Sequence, residues 1–263
     1  MLSAVSDAEA ADWVVAGVRD FDGTVGSVVR AVFDAYARIF HPASCGVGGE
    51  EAEVRWAEVA AANARVMHPA AEWGSLAGSW QSREQPGLWE QPPRTGELPG
   101  ASAARLAAVL ARHTKHPECA YFALLDGWDA LGLMLLFKDG TPEDVQRIGR
   151  RAVEEEVAAW RELVQGGAAF ALPNREMRLL RGPLAAIGEF YEFHHNPPNL
   201  WWPHDHAWCV GTDIDLMSTY VGGSRASIAA LLADDQLESL PVSVDQSVTW
   251  EADTVNPLPE PPP

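Results

Sequence analysis

The sequence predicts an α+β fold: one domain over residues 1–255 with a mainly antiparallel sheet flanked by helices, followed by a Pro-rich tail at 256–263. Three observations lead there. A chain of 263 residues, 47% of them hydrophobic, can bury one large core or two small ones. Segments of helical period are interspersed with short runs rich in Val, Tyr, Phe and Trp, one of them patterned as a strand or hairpin. No apolar run approaches the roughly 20 residues that span a bilayer, so a soluble domain is expected.

Each element has its own local reason. "SDAEAADWVVAGVRDF" reads as a short amphipathic helix with Ser6 as a possible cap. "GSVVRAVFDAYARIFHP" fits strand or helix, and periodicity leaves both open. "GEEAEVRWAEVAAANARVM" predicts a helix, because Val54, Ala57, Ala61 and Ala64 recur in steps of three and four and Pro69 ends it. The stretch from His68 to Pro99 is crowded with Pro and Gly but carries Trp73, Trp80 and Trp89, which predicts an ordered surface loop. "SAARLAAVLARHT" is helical, and "CAYFALLDGW" suits a buried strand ending at a turn.

Residues Pro142 to Gln165 carry the clearest helix signals: Thr141 as cap, Pro142 at the first position and Gly166 as the stop. Val145, Ile148 and Ala152, continued by Val153, Val157, Trp160 and Val164, form its apolar stripe; Trp160 should be buried and Arg150 and Glu155 exposed. "REMRLLRGPLAAIGEFYEF" reads as strand, turn and helix. "AWCVGTDIDLMSTYVGG" is a strand or hairpin, "SRASIAALLADDQ" a helix capped by Ser224, and "LESLPVSV" a last strand. "NPLPEPPP" cannot join a sheet and should fray.

Charge narrows the function classes. With 37 acidic against 19 basic residues the net charge is −18, which repels nucleic acid and anionic membranes and attracts a basic protein partner, if it does more than confer solubility. The N-terminus has neither the basic nor the apolar segment of a secretory signal, and Cys45, Cys119 and Cys209 have no metal-type spacing; both fit a reducing cytoplasm. No Gly-rich phosphate loop or Gly-x-Ser-x-Gly elbow occurs, and no cofactor is expected. "VGGS" before a helix suits an anion site or an ordinary cap.

"DFDGT", residues 20–24, resembles the first motif of haloacid-dehalogenase-type phosphatases. That resemblance implies Asp20 as nucleophile, Asp22 as general acid and a magnesium-dependent hydrolase. The motif belongs at the end of an uninterrupted apolar strand, however, and Gly17 and Arg19 interrupt "VVAGVR". The competing reading is a surface turn at Asp22 and Gly23.

Further residues carry two readings each. His194, His195, His204, Asp205, His206 and Cys209 cluster in "FHHNPPNLWWPHDHAWC"; His204 and His206 would share one face of an extended strand and offer a metal-ligand pair, or form a His-rich surface turn. Trp201 and Trp202 suit stacking on a sugar or a partner's side chain, or a place in the core. Strand alternation from Trp208 puts Trp208, Val210, Thr212, Ile214 and Leu216 on one face and sets Asp213 beside Asp215 on the other. That carboxylate pair would take a cation or a partner's Arg, unless Arg178 and Arg181 neutralise it internally. His41, His68 and His113 read as structural hydrogen-bonders.

Five segments, "GTVGSVVRAVFDAYARIFHPA", "VRWAEVAA", "LARHTKHPECAYFALLDGW", "REMRLLRGPLAA" and "NLWWPHDHAWCVGTDIDLMSTYVGGS", together resemble an uncharacterised actinobacterial protein family, in order and over most of the chain. In that family pattern Asp205 matches while the positions of His204 and His206 differ, and the segment ahead of Gly23 lacks the acidic motif. The resemblance implies a shared fold and no activity. Length, acidity and the α+β pattern are also similar to those of bacterial immunity proteins, which implies toxin binding by analogy of fold. The expectation is therefore a non-catalytic cytoplasmic binding protein, of immunity or antitoxin type, with a basic protein partner; a metal-dependent hydrolase is the alternative.

Overall fold

A computed structural model of the protein describes residues 1–18, 20–47, 50–79, 84–127, 155, 157–191 and 196–259. Its centre is a nine-stranded sheet. The strands are β1 (Ser3–Ala4), β2 (Ala35–Phe40), β5 (Ala120–Leu125), β6 (Ala168–Leu172), β7 (Arg175–Gly182), β8 (Leu200–Pro203), β9 (Trp208–Thr212), β10 (Ser218–Gly223) and β11 (Ser239–Val242), while β3 (Ala43–Val47) and β4 (Glu50–Val54) form a separate hairpin. The order across the large sheet is β1, β7, β5, β8, β9, β10, β2, β11, with β6 also paired to β7. Every pairing among the described residues is antiparallel, as the α+β reading requires.

Both faces of the sheet are covered, so its central strands are apolar on both sides. On one face lie α5 (Gly100–Leu110), α6 (157–166), a 3-10 stretch (Leu184–Tyr191) and α7 (Arg225–Leu232), packed over Phe122, Trp201, Trp208 and Val210. On the other, α1 (Asp12–Val15) and α2 (Val25–Val28) pack over Tyr121, Trp202, Cys209 and Tyr220. A third cluster beyond β2 is built from Phe40, Trp56, Trp73 and Trp89 with α3 (Trp56–Ala62) and α4 (Trp73–Ala77). Among the described residues no helix is long and apolar enough to cross a membrane. The three cysteines are free thiols.

Local signals hold where the element is self-contained. α7 begins at Ser224, whose Oγ accepts the Ser227 N–H at 3.1 Å. β5 and β11 form where β-rich composition places them. Trp160 is buried and Glu155 exposed; Arg150, Val145, Ile148, Ala152 and Val153 lie outside the described residues.

Elsewhere the expectation is corrected. Residues 50–64 are not one helix: β4 occupies the first five, Arg55 is extended, and α3 starts at Trp56. The buried face of α3 is Trp56, Val59 and Ala60, whereas Ala57, Ala61 and Ala64 are exposed. The switch has a distant cause, because Glu238 accepts the Trp56 and Ala57 N–H groups at 2.7 Å each and so caps α3 from the far end of the chain. The 68–99 stretch is not only a surface loop either, since it contains α4 and buries Trp73 and Trp89 in the third cluster. Ser6 caps nothing: a 3-10 turn at Glu9–Ala11 leads into α1 without a side-chain cap. The start of the tail is docked rather than frayed, because the Asn256 side-chain amide exchanges two hydrogen bonds with the Val66 backbone.

Candidate functional site

A cleft opens where the β3–β4 hairpin faces the Pro-rich segment 91–100, enclosing about 1320 Å³ including the space open to solvent. Pro92, Pro93 and Pro99 supply much of one wall, and Ser44 and Glu53 lie on the other. Proline fixes φ and lacks an N–H, so this wall is stiff and cannot pair as a sheet edge.

The proline wall is held at both ends and in the middle. Ser44 and Gln91 exchange backbone hydrogen bonds, with the Ser44 N–H donating at 2.9 Å and the Gln91 N–H at 3.0 Å. The Gly96 N–H donates to the Leu216 carbonyl at 2.8 Å, and Leu98 inserts into the core. Pro99 offers its carbonyl to the Ala103 N–H at the start of α5.

His41 supplies the middle tether. It is fully buried, and one ring nitrogen, Nδ1, lies 2.7 Å from the Arg94 carbonyl. A carbonyl only accepts, so Nδ1 carries the proton and Nε2 accepts from the Thr219 hydroxyl at 2.9 Å. Thr219 Oγ1 in turn accepts from Thr212 at 2.7 Å, which gives a directed chain from β9 through β10 to the proline wall. Burial lowers the His41 pKa to about 4, against the Arg94 carbonyl, which favours the charged form; the nearby Arg38 charge adds to the lowering. The imidazole is therefore neutral at physiological pH, as the tether requires.

Two carboxylates face this space. Glu53 is exposed on the hairpin wall and makes no ion pair among the described residues. Glu97, on the opposite wall, pairs with Arg94 at 2.9 Å, and both side chains keep solvent contact. An exposed pair of this kind is worth at most about 1 kcal/mol, so a cationic ligand can compete for Glu97.

The residues singled out by sequence fall elsewhere. Asp213 and Asp215 are not neighbours on a strand; β9 ends at Thr212, and both Asp, with half-buried Ile214 and Leu216, occupy the turn into β10. The internal cation is Arg175, 2.6 Å from Asp213 and 4.0 Å from Asp215, its guanidinium over the Phe21 ring at 4.5 Å. Arg178 instead pairs with Asp126 at 2.9 Å, and Arg181 Nε points to Cys119 Sγ at 3.2 Å. The turn still serves the cleft, because its Leu216 carbonyl holds Gly96.

Trp201 and Trp202 are 3% and 0% exposed on opposite faces of the sheet, so neither ring is open to a ligand. His204 and His206 are not a strand pair. β8 stops at Pro203, and His206, at φ +53°, stacks on Trp13 at 4.5 Å while His204 approaches Tyr121 Oη at 3.4 Å and the His116 ring at 5.4 Å. Burial lowers the His206 pKa. Asp205 turns away to accept from Thr114 Oγ1 at 2.8 Å and the Lys115 N–H at 2.9 Å. His194 and His195 lie outside the described residues, and among the described ones no three His, Cys, Asp or Glu side chains gather as metal ligands would.

Asp20 and Asp22 sit in the loop ahead of α2, not at the end of a strand. Asp22 Oδ1 accepts from the Thr24 N–H at 3.0 Å and the Thr24 hydroxyl at 2.7 Å, and these bonds lower its pKa. That is the turn reading of "DFDGT". Glu53, Glu97 and His41 were not marked as cleft residues by their sequence context. The available signal was the density of prolines between two structured segments. Comparison of the chain with protein-family models, curated proteins and solved structures found no match in any of the three.

Proposed function

We propose that this chain is a non-catalytic binding protein of the cytoplasm, of immunity or antitoxin type, which receives a basic segment of a partner protein in the cleft between the β3–β4 hairpin and the proline wall. The observation that carries the reading is the cleft itself: a rigid, pre-tethered concavity flanked by Glu53 and Glu97 on a chain of net charge −18. A wall already ordered before binding loses little conformational entropy when the partner arrives. The surrounding negative field speeds the approach of a cation. The length, acidity and α+β pattern that the sequence shares with bacterial immunity proteins are consistent with this reading by analogy of fold alone.

Calorimetric titration with an alternating Arg-Val peptide of about ten residues tests it. Wild type should bind, more weakly as salt rises, and the Glu53→Gln/Glu97→Gln double variant should bind about fivefold more weakly with an unchanged melting temperature. Equal affinity of the two proteins overturns the assignment.

A further inference from the structure

The outer edge of β4 borders the cleft and has hydrogen-bonding capacity of its own. Ser44 stands opposite Glu53 in the hairpin. The Ser44 N–H donates to the Gln91 carbonyl and the Ser44 carbonyl accepts from the Glu90 and Gln91 N–H groups, so its backbone points away from β4. Directly opposed residues of an antiparallel pair either exchange both bonds or turn both sets outward. The Glu53 N–H and C=O therefore face away from β3, and no backbone hydrogen bond takes them among the described residues. The outer edge of β3 is occupied by residues 90 and 91, whereas among the described residues no strand pairs with that of β4.

Opposed residues also share a face of the sheet. Ser44 and Glu53 both line the cleft, so a residue added opposite Glu53 would project its side chain over the same space. Charge selects what can be added. Glu53 is the acidic residue at this register, and a second copy of β4 added opposite it would set Glu53 against Glu53. A basic strand from another protein meets no such opposition.

We infer that the partner's basic segment adds to β4 as an antiparallel strand, exchanging two backbone hydrogen bonds with Glu53 and seating a Lys or Arg beside the Glu53 carboxylate. This rests on the reading of the cleft as the site for a basic partner.

The test uses the full chain and three probes: the Arg-Val peptide, the same peptide methylated on its Arg backbone nitrogens, and a Glu-Val peptide. Strand addition predicts that the Arg-Val peptide slows hydrogen exchange of the Glu53 amide about tenfold or more. It also predicts that backbone methylation, or Glu53→Pro in the protein, weakens binding about tenfold. The methylated probe keeps the test decisive if Glu53→Pro disturbs the hairpin. Suppose methylation leaves affinity and Glu53 exchange unchanged while Glu53→Gln/Glu97→Gln still weakens binding: strand addition is then wrong and the acidic cleft stands. If the Arg-Val peptide does not bind, or the Glu-Val peptide binds equally well, both readings fall. Concentration-dependent dimerisation that protects the Glu53 amide assigns the edge to a second copy and overturns the inference.

Discussion

Single residues set the shape of the cleft. Gly96 has φ +75°, and a Cβ there would stand 2.9 Å from both the Cα and the carbonyl oxygen of Ile214. Gly87 has φ +84° and open space within 4 Å of where a Cβ would stand. The pair separates backbone conformation from contact. Gly87→Ala should cost about 1 kcal/mol, the penalty for a left-handed non-glycine residue. Gly96→Ala should cost about 2–4 kcal/mol, because the turn that holds the proline wall must also move. Urea unfolding of the two variants measures this, and equal losses would show that the contact with Ile214 is easily relieved. The acidic turn teaches a related point. Placing the neutralising cation in "REMRLLR" is correct in segment and wrong in member, because Arg175 at the start of β7 reaches Asp213 whereas Arg178, further along, is drawn to Asp126. Side-chain reach across a sheet depends on where strands end.

At the scale of elements, period and caps work when a segment's partners are near in sequence. α6 shows this for the period: Trp160 and Val164 of its apolar stripe lie in the core, with Trp160 edge-on to Phe190 and ring centroids 5.4 Å apart, whereas the expected cap at Thr141 and Pro142 lies outside the described residues. Trp160→Ala should destabilise by about 3 to 5 kcal/mol, read as a lowered urea midpoint. A loss near zero would mean that this helix contributes little to the core. The β4–α3 junction is the opposite case. Its spacing of small residues mimics a helical stripe, yet Val54 pairs with Ala43 in a ladder and Glu238 supplies the cap for the helix that follows. Burial raises the Glu238 pKa against these bonds, so the cap itself carries a desolvation cost.

Over the whole molecule, two titratable groups, buried His41 and half-buried Glu72, pull stability in opposite directions with pH. Burial lowers His41 to about 4 from the usual 6.5, so the unfolded chain binds more protons between these values and stability rises with pH across them. Burial raises Glu72 to about 7 from 4.5, outweighing the Arg38 guanidinium 3.2 Å away. Here the folded chain holds the extra proton, so this contribution is present below pH 4.5 and is lost as pH rises through 7. Between about 4.5 and 6.5 the two offset each other. Glu72→Gln removes only the second, so the variant should gain on wild type by about 3 kcal/mol between pH 4.5 and 8. A difference in unfolding free energy that is constant over that range would contradict the Glu72 assignment.

What could be read from the chain alone was whatever depends on neighbours within a turn or along one strand. The α+β class, β5, α5, β11, the Ser224 cap and the buried face at Trp160 follow from period, composition and capping chemistry. The turn at Asp22 and the core placement of Trp201 and Trp202 were likewise among the readings that local chemistry supported. The tertiary structure alone decided the start of α3, the pairing of Arg175 with the acidic turn, and the cleft. Each depends on contacts between residues far apart in sequence: Glu238 with Trp56, Arg175 with Asp213, and His41 with Arg94 and Thr219. A contact of that kind imposes no repeat on the sequence around it. It is specified by the packing of the sheet, which fixes which distant groups can meet once their hydrogen bonds must be satisfied away from water.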